Sequence, residues 1–127
     1  MTLQQRLRKV LDGVVPVREE DDGALTVSHD GTLASLRVVG VADGLELISF
    51  SQILAWDVPL DRRIRAKIAE QARNIMFGTV TLIEKKRLGE VLLRYNFPGS
   101  GLTDEALRTL ILMVLSTGSS VRRALSE

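Results

Sequence analysis

The chain has 127 residues, of which 45% are hydrophobic and 26% charged; this balance fits one folded domain spanning residues 1–127 and excludes intrinsic disorder and fibrous repeats. Net charge is only +1, although residues 1–58 carry 5 basic and 9 acidic side chains and residues 59–127 carry 12 and 7. With no cysteine, the chain cannot form a disulfide framework or a thiolate metal site, and its single histidine leaves little material for metal ligation or a serine-histidine-aspartate relay. We therefore expect no enzyme, and no catalytic, cofactor-binding or metal-binding residues.

Neither a signal peptide nor a membrane span is predicted. Residues 1–12 alternate polar and apolar side chains, whereas a signal peptide has a continuous apolar stretch before its cleavage site. The longest apolar stretch near the C-terminus, Leu110–Leu115, is far shorter than the roughly 20 residues that cross a bilayer. We expect a cytoplasmic protein that has no membrane partner.

The first half of the chain predicts one helix and then a meander of three antiparallel strands. Apolar residues recur with helical spacing over residues 3–11, and Asp12 with Gly13 ends that helix. Residues 16–22, a proline followed by an acidic run, predict a solvated loop. From residue 24 the apolar period changes to two, and an Asp-Gly turn at 30–31 predicts a hairpin.

The second half predicts a helix, a hairpin and a final helix. Asp61 is the expected N-cap of the middle helix, and Gly78 is expected to close it. A hairpin follows over residues 79–97. Thr103 should cap the last helix, which Gly118 is expected to interrupt. The order α-β-β-β-α-β-β-α predicts an α+β fold, in which helices pack on a five-stranded, largely antiparallel sheet.

This element order, over residues 3–125, resembles the type III secretion chaperone-like fold and, within it, the YbjN-type proteins of bacteria. Three local patterns carry the resemblance: the stretch Trp56–Leu60 before the middle helix, Asn74 near the end of that helix, and Leu93–Pro98 at the end of the last strand. The acidic run before the first strand departs from the family pattern. The resemblance implies a small homodimer that binds other proteins or acts in regulation. It carries over no functional residue, because the family has no catalytic motif.

The middle helix and the tryptophan before it are the candidate interface. Trp56, the only tryptophan, could anchor a partner or fill the core where strand meets helix, and the sequence does not separate these roles. The helix carries more apolar residues than one stripe needs, so it either packs against a second copy or is buried on two sides. We predict a homodimer whose interface comprises Trp56, Ile64, Ala66, Ile68, Ala69 and Phe77.

Three other features have ordinary structural interpretations. His29, beside Asp30, is predicted to be a solvent-exposed turn residue, because neighbours on a turn rarely supply three converging metal ligands. Glu84 and Glu90 are predicted to be exposed hairpin charges. The basic run over residues 62–67 is predicted to be a solvated helix face; phosphate binding is less favoured, because the chain has only three phenylalanines, one tryptophan and one tyrosine for stacking.

The leading functional hypothesis is a non-enzymatic protein-interaction domain, chaperone-like or regulatory, that binds a protein segment as a homodimer. Missing catalytic machinery and an apolar content sufficient for both a core and an interface support it. The alternative is nucleic-acid or anionic-ligand binding through the basic second half of the chain. The identity of the partner cannot be read from the sequence.

Overall fold

Three helices lie on one face of a six-stranded antiparallel sheet in the computed structural model, which describes residues 1–127. In chain order the elements are α1 (Leu3–Leu11), β1 (Val17–Glu19), β2 (Leu25–His29), β3 (Thr32–Ala42), β4 (Leu45–Pro59), α2 (Arg62–Asn74), β5 (Thr79–Lys85), β6 (Leu88–Pro98) and α3 (Asp104–Leu125). The strand order across the sheet is β1-β2-β3-β4-β6-β5. The expected α+β class is confirmed. Although α3 has 22 residues, none of the helices contains a stretch apolar enough to cross a bilayer.

The sixth strand corrects the expected count of five. Val17–Glu19 was predicted to be loop, yet it pairs with β2 in antiparallel register, Val17 opposite Val27 and Glu19 opposite Leu25. Three residues that include two charged side chains show no alternation of period two. A short, charged strand is nevertheless suited to a sheet edge, where long apolar strands invite pairing with other chains.

The core lies between the helices and one face of the sheet. On the central strand β4, Phe50 is opposite Leu36 of β3 and Tyr95 of β6, and Ile48 is opposite Phe97. The helical contribution comes mainly from the buried stripe of α3: Leu107, Ile111, Val114, Leu115 and Val121. The other face of the sheet carries no helix. Its central row is polar, as expected for a solvated antiparallel face: Ser35, Ser51 and Arg94.

Two predicted helix starts are confirmed, and one predicted end is wrong. Asp61 accepts the N–H of Ile64 at 2.8 Å, and Thr103 accepts the N–H of Ala106 at 3.1 Å, so both are N-caps. However, α2 ends at Asn74, because Ile75 is already in extended conformation. Gly78 instead forms the turn into β5 at φ +82°, where a Cβ would lie 2.7 Å from the carbonyl oxygen of Arg94.

Helix α3 also runs through Gly118 without interruption. The glycine is buried against Gln52 of β4, and a Cβ at Gly118 would lie only 1.9 Å from Gln52 Oε1. The amide of Gln52 thus occupies the space that a side chain would take. A glycine in a helix costs about 1 kcal/mol relative to alanine, and here the close approach of the strand explains its presence.

Candidate partner-binding surface

Trp56 lies outside the core. Its side chain is 55% exposed, whereas Leu54, two residues earlier on β4, is fully buried. Regular alternation would have placed the two side chains on the same face. Instead β4 contains register shifts relative to β6 between Ile53 and Ala55 and between Ala55 and Val58. Each shift inserts an extra residue in β4 and breaks the alternation of side chains. No local sequence pattern predicts these shifts.

A cleft of about 350 Å³ lies against the Trp56 ring. Six of its nine lining residues are hydrophobic, and they come from the end of β4 and from two helices: Leu54, Ala55, Trp56 and Val58, with Ile64 of α2 and Leu125 of α3. The cleft continues in two directions. One continuation shares Trp56 and Gly31, and the other shares Val58, Ile64 and Leu125. The three hollows adjoin one another at these shared residues, and we call them together the Trp56 groove.

Arg122 is the only charged residue in the central cleft. Its guanidinium lies over the β2–β3 turn, so closely that a Cβ on Gly31 would be 3.1 Å from Nη1. Arg122 makes no ion pair and donates no side-chain hydrogen bond, whereas Arg123, the next residue, lies 3.5 Å from the carboxylate of Asp30. Arg122 is not among the predicted site residues. No local signal could have found it, because the contact joins residues far apart in the chain.

A network of hydrogen bonds holds the β2–β3 turn against α3. The buried amide of Gln52 donates from Nε2 to Thr32 Oγ1 at 2.8 Å, and that hydroxyl donates to the carbonyl of His29 at 2.5 Å. His29 Nδ1 lies 2.8 Å from the buried Ser119 hydroxyl of α3. The prediction of an exposed turn histidine is therefore wrong: His29 is 20% exposed and connects the hairpin to the helix. One wall of the groove is thereby fixed in place.

The other predicted interface residues lie in four different environments. Ala66 and Ala69 are exposed on α2. Ile64 is half-buried and lines the cleft, while Phe77 lies beyond the helix and packs against Tyr95, with ring centroids 6.1 Å apart. Ile68 is buried within the core of its own chain at 6% exposure, so it is not accessible to a partner.

The basic side chains of α2 are mostly unpaired. Arg65 forms an ion pair with Glu84 of β5, while Arg62, Arg63 and Arg73 are exposed and make no ion pair. Glu84 and Glu90 do not face each other, since Glu84 is opposite Gly89 in the register. No three His, Asp or Glu side chains lie close enough together to hold a metal ion.

Shifted pKa values occur at ion pairs away from the groove. The Arg6 guanidinium, 2.8 Å from Asp104, lowers the pKa of that carboxyl. Hydrogen bonds from Arg18 and Arg37 likewise lower the pKa values of Glu20 and Asp22. These three pairs connect surface elements of the fold.

Comparison with known proteins identifies the fold. No protein-family model and no curated protein sequence matches this chain. Among solved structures, the chain is similar to YbjN from E. coli, a protein provisionally described as a transcription regulator. The TM-score is 0.63 at 15% sequence identity, and the match covers 93% of this chain and 87% of that one. The resemblance predicted from element order is thus confirmed for the fold: the chain has the YbjN fold.

Proposed function

We propose that this chain is a non-enzymatic interaction module, regulatory or chaperone-like in role, that binds a protein segment as a cytoplasmic homodimer. The exposure of Trp56 beside an apolar cleft is the observation that carries the proposal. Tryptophan is among the residues that contribute most to binding, because it offers a large rigid surface with few torsion angles to fix. The ring lies on a strand, and hydrogen bonds fix the β2–β3 turn beside it, so a partner side chain can pack against it without rearrangement of the fold.

The homodimer part of the proposal rests on α2. Ala66 and Ala69 leave small side chains on the exposed surface of that helix, and small residues allow two helices to approach closely. A two-fold dimer would bring the same patch together from both chains. Because Ile68 faces the core and Ile64 faces the cleft, the contact we propose is limited to the alanine surface of the helix.

Light scattering at micromolar concentration tests the dimer. We expect twice the chain mass of 14.0 kDa for the native protein, and 14.0 kDa for the double variant A66E with A69E. The matched control is Ala106→Glu, which puts the same charge at an exposed alanine of α3. A native protein that is monomeric at this concentration would refute the homodimer, and a double variant that stays dimeric would place the contact elsewhere.

Nucleic-acid or other anion binding is the second candidate function. The unpaired Arg62, Arg63 and Arg73 on α2 favour it. The aromatic residues give it little support, because Phe50 and Phe97 are buried and Trp56 is the one exposed aromatic side chain that could stack on a base. Titration with a single-stranded oligonucleotide tests it: binding through several phosphates would weaken steeply with salt. Absence of binding at low ionic strength would exclude this candidate.

A further inference from the structure

We propose that the Trp56 groove binds an extended acidic peptide segment, with an apolar side chain seated against Trp56 and a neighbouring carboxylate paired with Arg122. The proposal deepens the proposed function by naming the chemistry of the segment, and it rests on that function. It needs an apolar cleft of suitable size, an unused cation at the cleft, and open ends through which a chain can pass.

The size and lining of the cleft suit one apolar side chain. At about 350 Å³ it lies at the lower end of the volumes of ligand pockets, roughly 300–1,000 Å³. Trp56, Ile64 and Leu125 come from three different elements and converge on it. A leucine-sized side chain placed there would cover the exposed part of the Trp56 ring and lose most of its own contact with water.

The positive charge of Arg122 favours an acidic residue next to that apolar side chain in the bound peptide. Arg122 is the sole charged group of the central cleft, and no carboxylate of this chain neutralises it. A guanidinium binds a carboxylate through two parallel hydrogen bonds, stronger than bonds between neutral groups. The nearby carboxylate of Asp30 pairs with Arg123 instead. The farther continuation of the groove is mixed in charge, since Arg63 and Lys67 line it together with Asp61 and Glu127.

The shape of the groove favours a peptide over a small molecule. The central cleft is open and continues on both sides, toward Val15 and Pro16 in one direction and toward Arg63 and Lys67 in the other. An extended chain can enter at one end and leave at the other. The hydrogen bonds of Gln52 and His29 hold the turn beneath Arg122 in place, so little ordering is required on binding.

The emission of Trp56, the only tryptophan in the chain, reports occupancy of the cleft directly. The probe is a blocked pentapeptide with a central leucine between two glutamates; its controls carry glutamine in place of glutamate, or alanine in place of leucine. We expect the acidic leucine peptide to shift the emission to the blue and to saturate. Both control peptides should bind at least ~10-fold more weakly, since one lacks the charge-assisted hydrogen bonds and the other the apolar side chain.

Arg122→Gln should weaken the binding of the acidic peptide by at least ~10-fold. The matched control is Arg73→Gln, which removes an exposed, unpaired arginine outside the groove and should change binding by less than ~2-fold. Arg122→Lys keeps the charge and should retain part of the affinity. Circular dichroism of each variant checks that the fold is retained. Equal binding of the glutamic and glutamine peptides, or native affinity in folded Arg122→Gln, would overturn the proposal.

Three further measurements separate this inference from the proposed homodimer and from a small-molecule site. Light scattering on the same samples reports the oligomeric state, so a monomer that binds the acidic peptide refutes the dimer and supports the groove assignment. A dimer that Trp56→Ala makes monomeric would overturn the groove assignment, because a second copy would then occupy the cleft. Hexanoate binding as tightly as the peptide would also overturn it, in favour of a small-molecule site.

Discussion

Alanine at position 118 is the most direct test of how helix α3 packs on the sheet. The new Cβ would lie 1.9 Å from Oε1, 2.5 Å from Cδ and 2.8 Å from Nε2 of Gln52, all closer than non-bonded atoms approach. Gln52 is completely buried, so its amide cannot move into solvent. Seating this Cβ therefore pushes α3 away from the sheet and also turns the amide, which loses its bonds to Thr32 and to the carbonyl of Leu115.

The magnitude follows from three contributions of known size. Overpacking a core costs about 1–3 kcal/mol, and leaving buried polar atoms without partners costs about another 1–3 kcal/mol. Exchanging glycine for alanine inside a helix returns about 1 kcal/mol. We therefore expect Gly118→Ala to lower the free energy of unfolding by about 3 kcal/mol, measured by urea denaturation.

A second background isolates the contact with Gln52. In a Gln52→Ala protein the space beside Gly118 is empty, so Gly118→Ala should there raise the free energy of unfolding by about 1 kcal/mol, through helix propensity alone. The difference in unfolding free energy between the variants Ser116→Gly and Ser116→Ala, at an exposed position of the same helix, measures that propensity. A Gly118→Ala variant with the same effect in both backgrounds would show that Gln52 is not what excludes a side chain here.

Two further predictions concern the surface and the core. Because Arg6 lowers the pKa of Asp104, this pair should stabilise the fold above about pH 4, the ordinary aspartate range, and lose that contribution as pH falls through the lowered pKa. The difference in unfolding free energy between the native protein and Asp104→Asn should therefore shrink on acidification; a difference independent of pH would contradict the pairing. Trp56→Ala should cost less than about 1 kcal/mol and Phe50→Ala about 3–5 kcal/mol in urea denaturation, because the first ring is 55% exposed and the second 1%. Equal losses would mean that Trp56 belongs to the core.

Features that depend on neighbours along the chain could be predicted from the sequence. Helix α1 has the bounds that its apolar spacing indicates, and Asp61 and Thr103 cap the helices that follow them. These signals are local, because a cap bonds a backbone group two or three residues away and a stripe repeats with the period of its own helix. The same reasoning identified the hairpin turn at Asp30 and Gly31.

Features that depend on distant parts of the chain became visible only in the tertiary structure. Strand β1 forms because β2 supplies its hydrogen bonds. Gly118 lies inside a helix, and not at its end, because Gln52 leaves no room for a side chain there. Trp56 is exposed to solvent because the pairing of β4 with β6 contains two register shifts around it. The same is true of the candidate site. Its tryptophan could be singled out in the sequence, but Arg122 lines the cleft because it lies against Gly31, which is 91 positions earlier in the chain. A cleft is formed by side chains that only folding brings together, so its charge and its shape have no local signature.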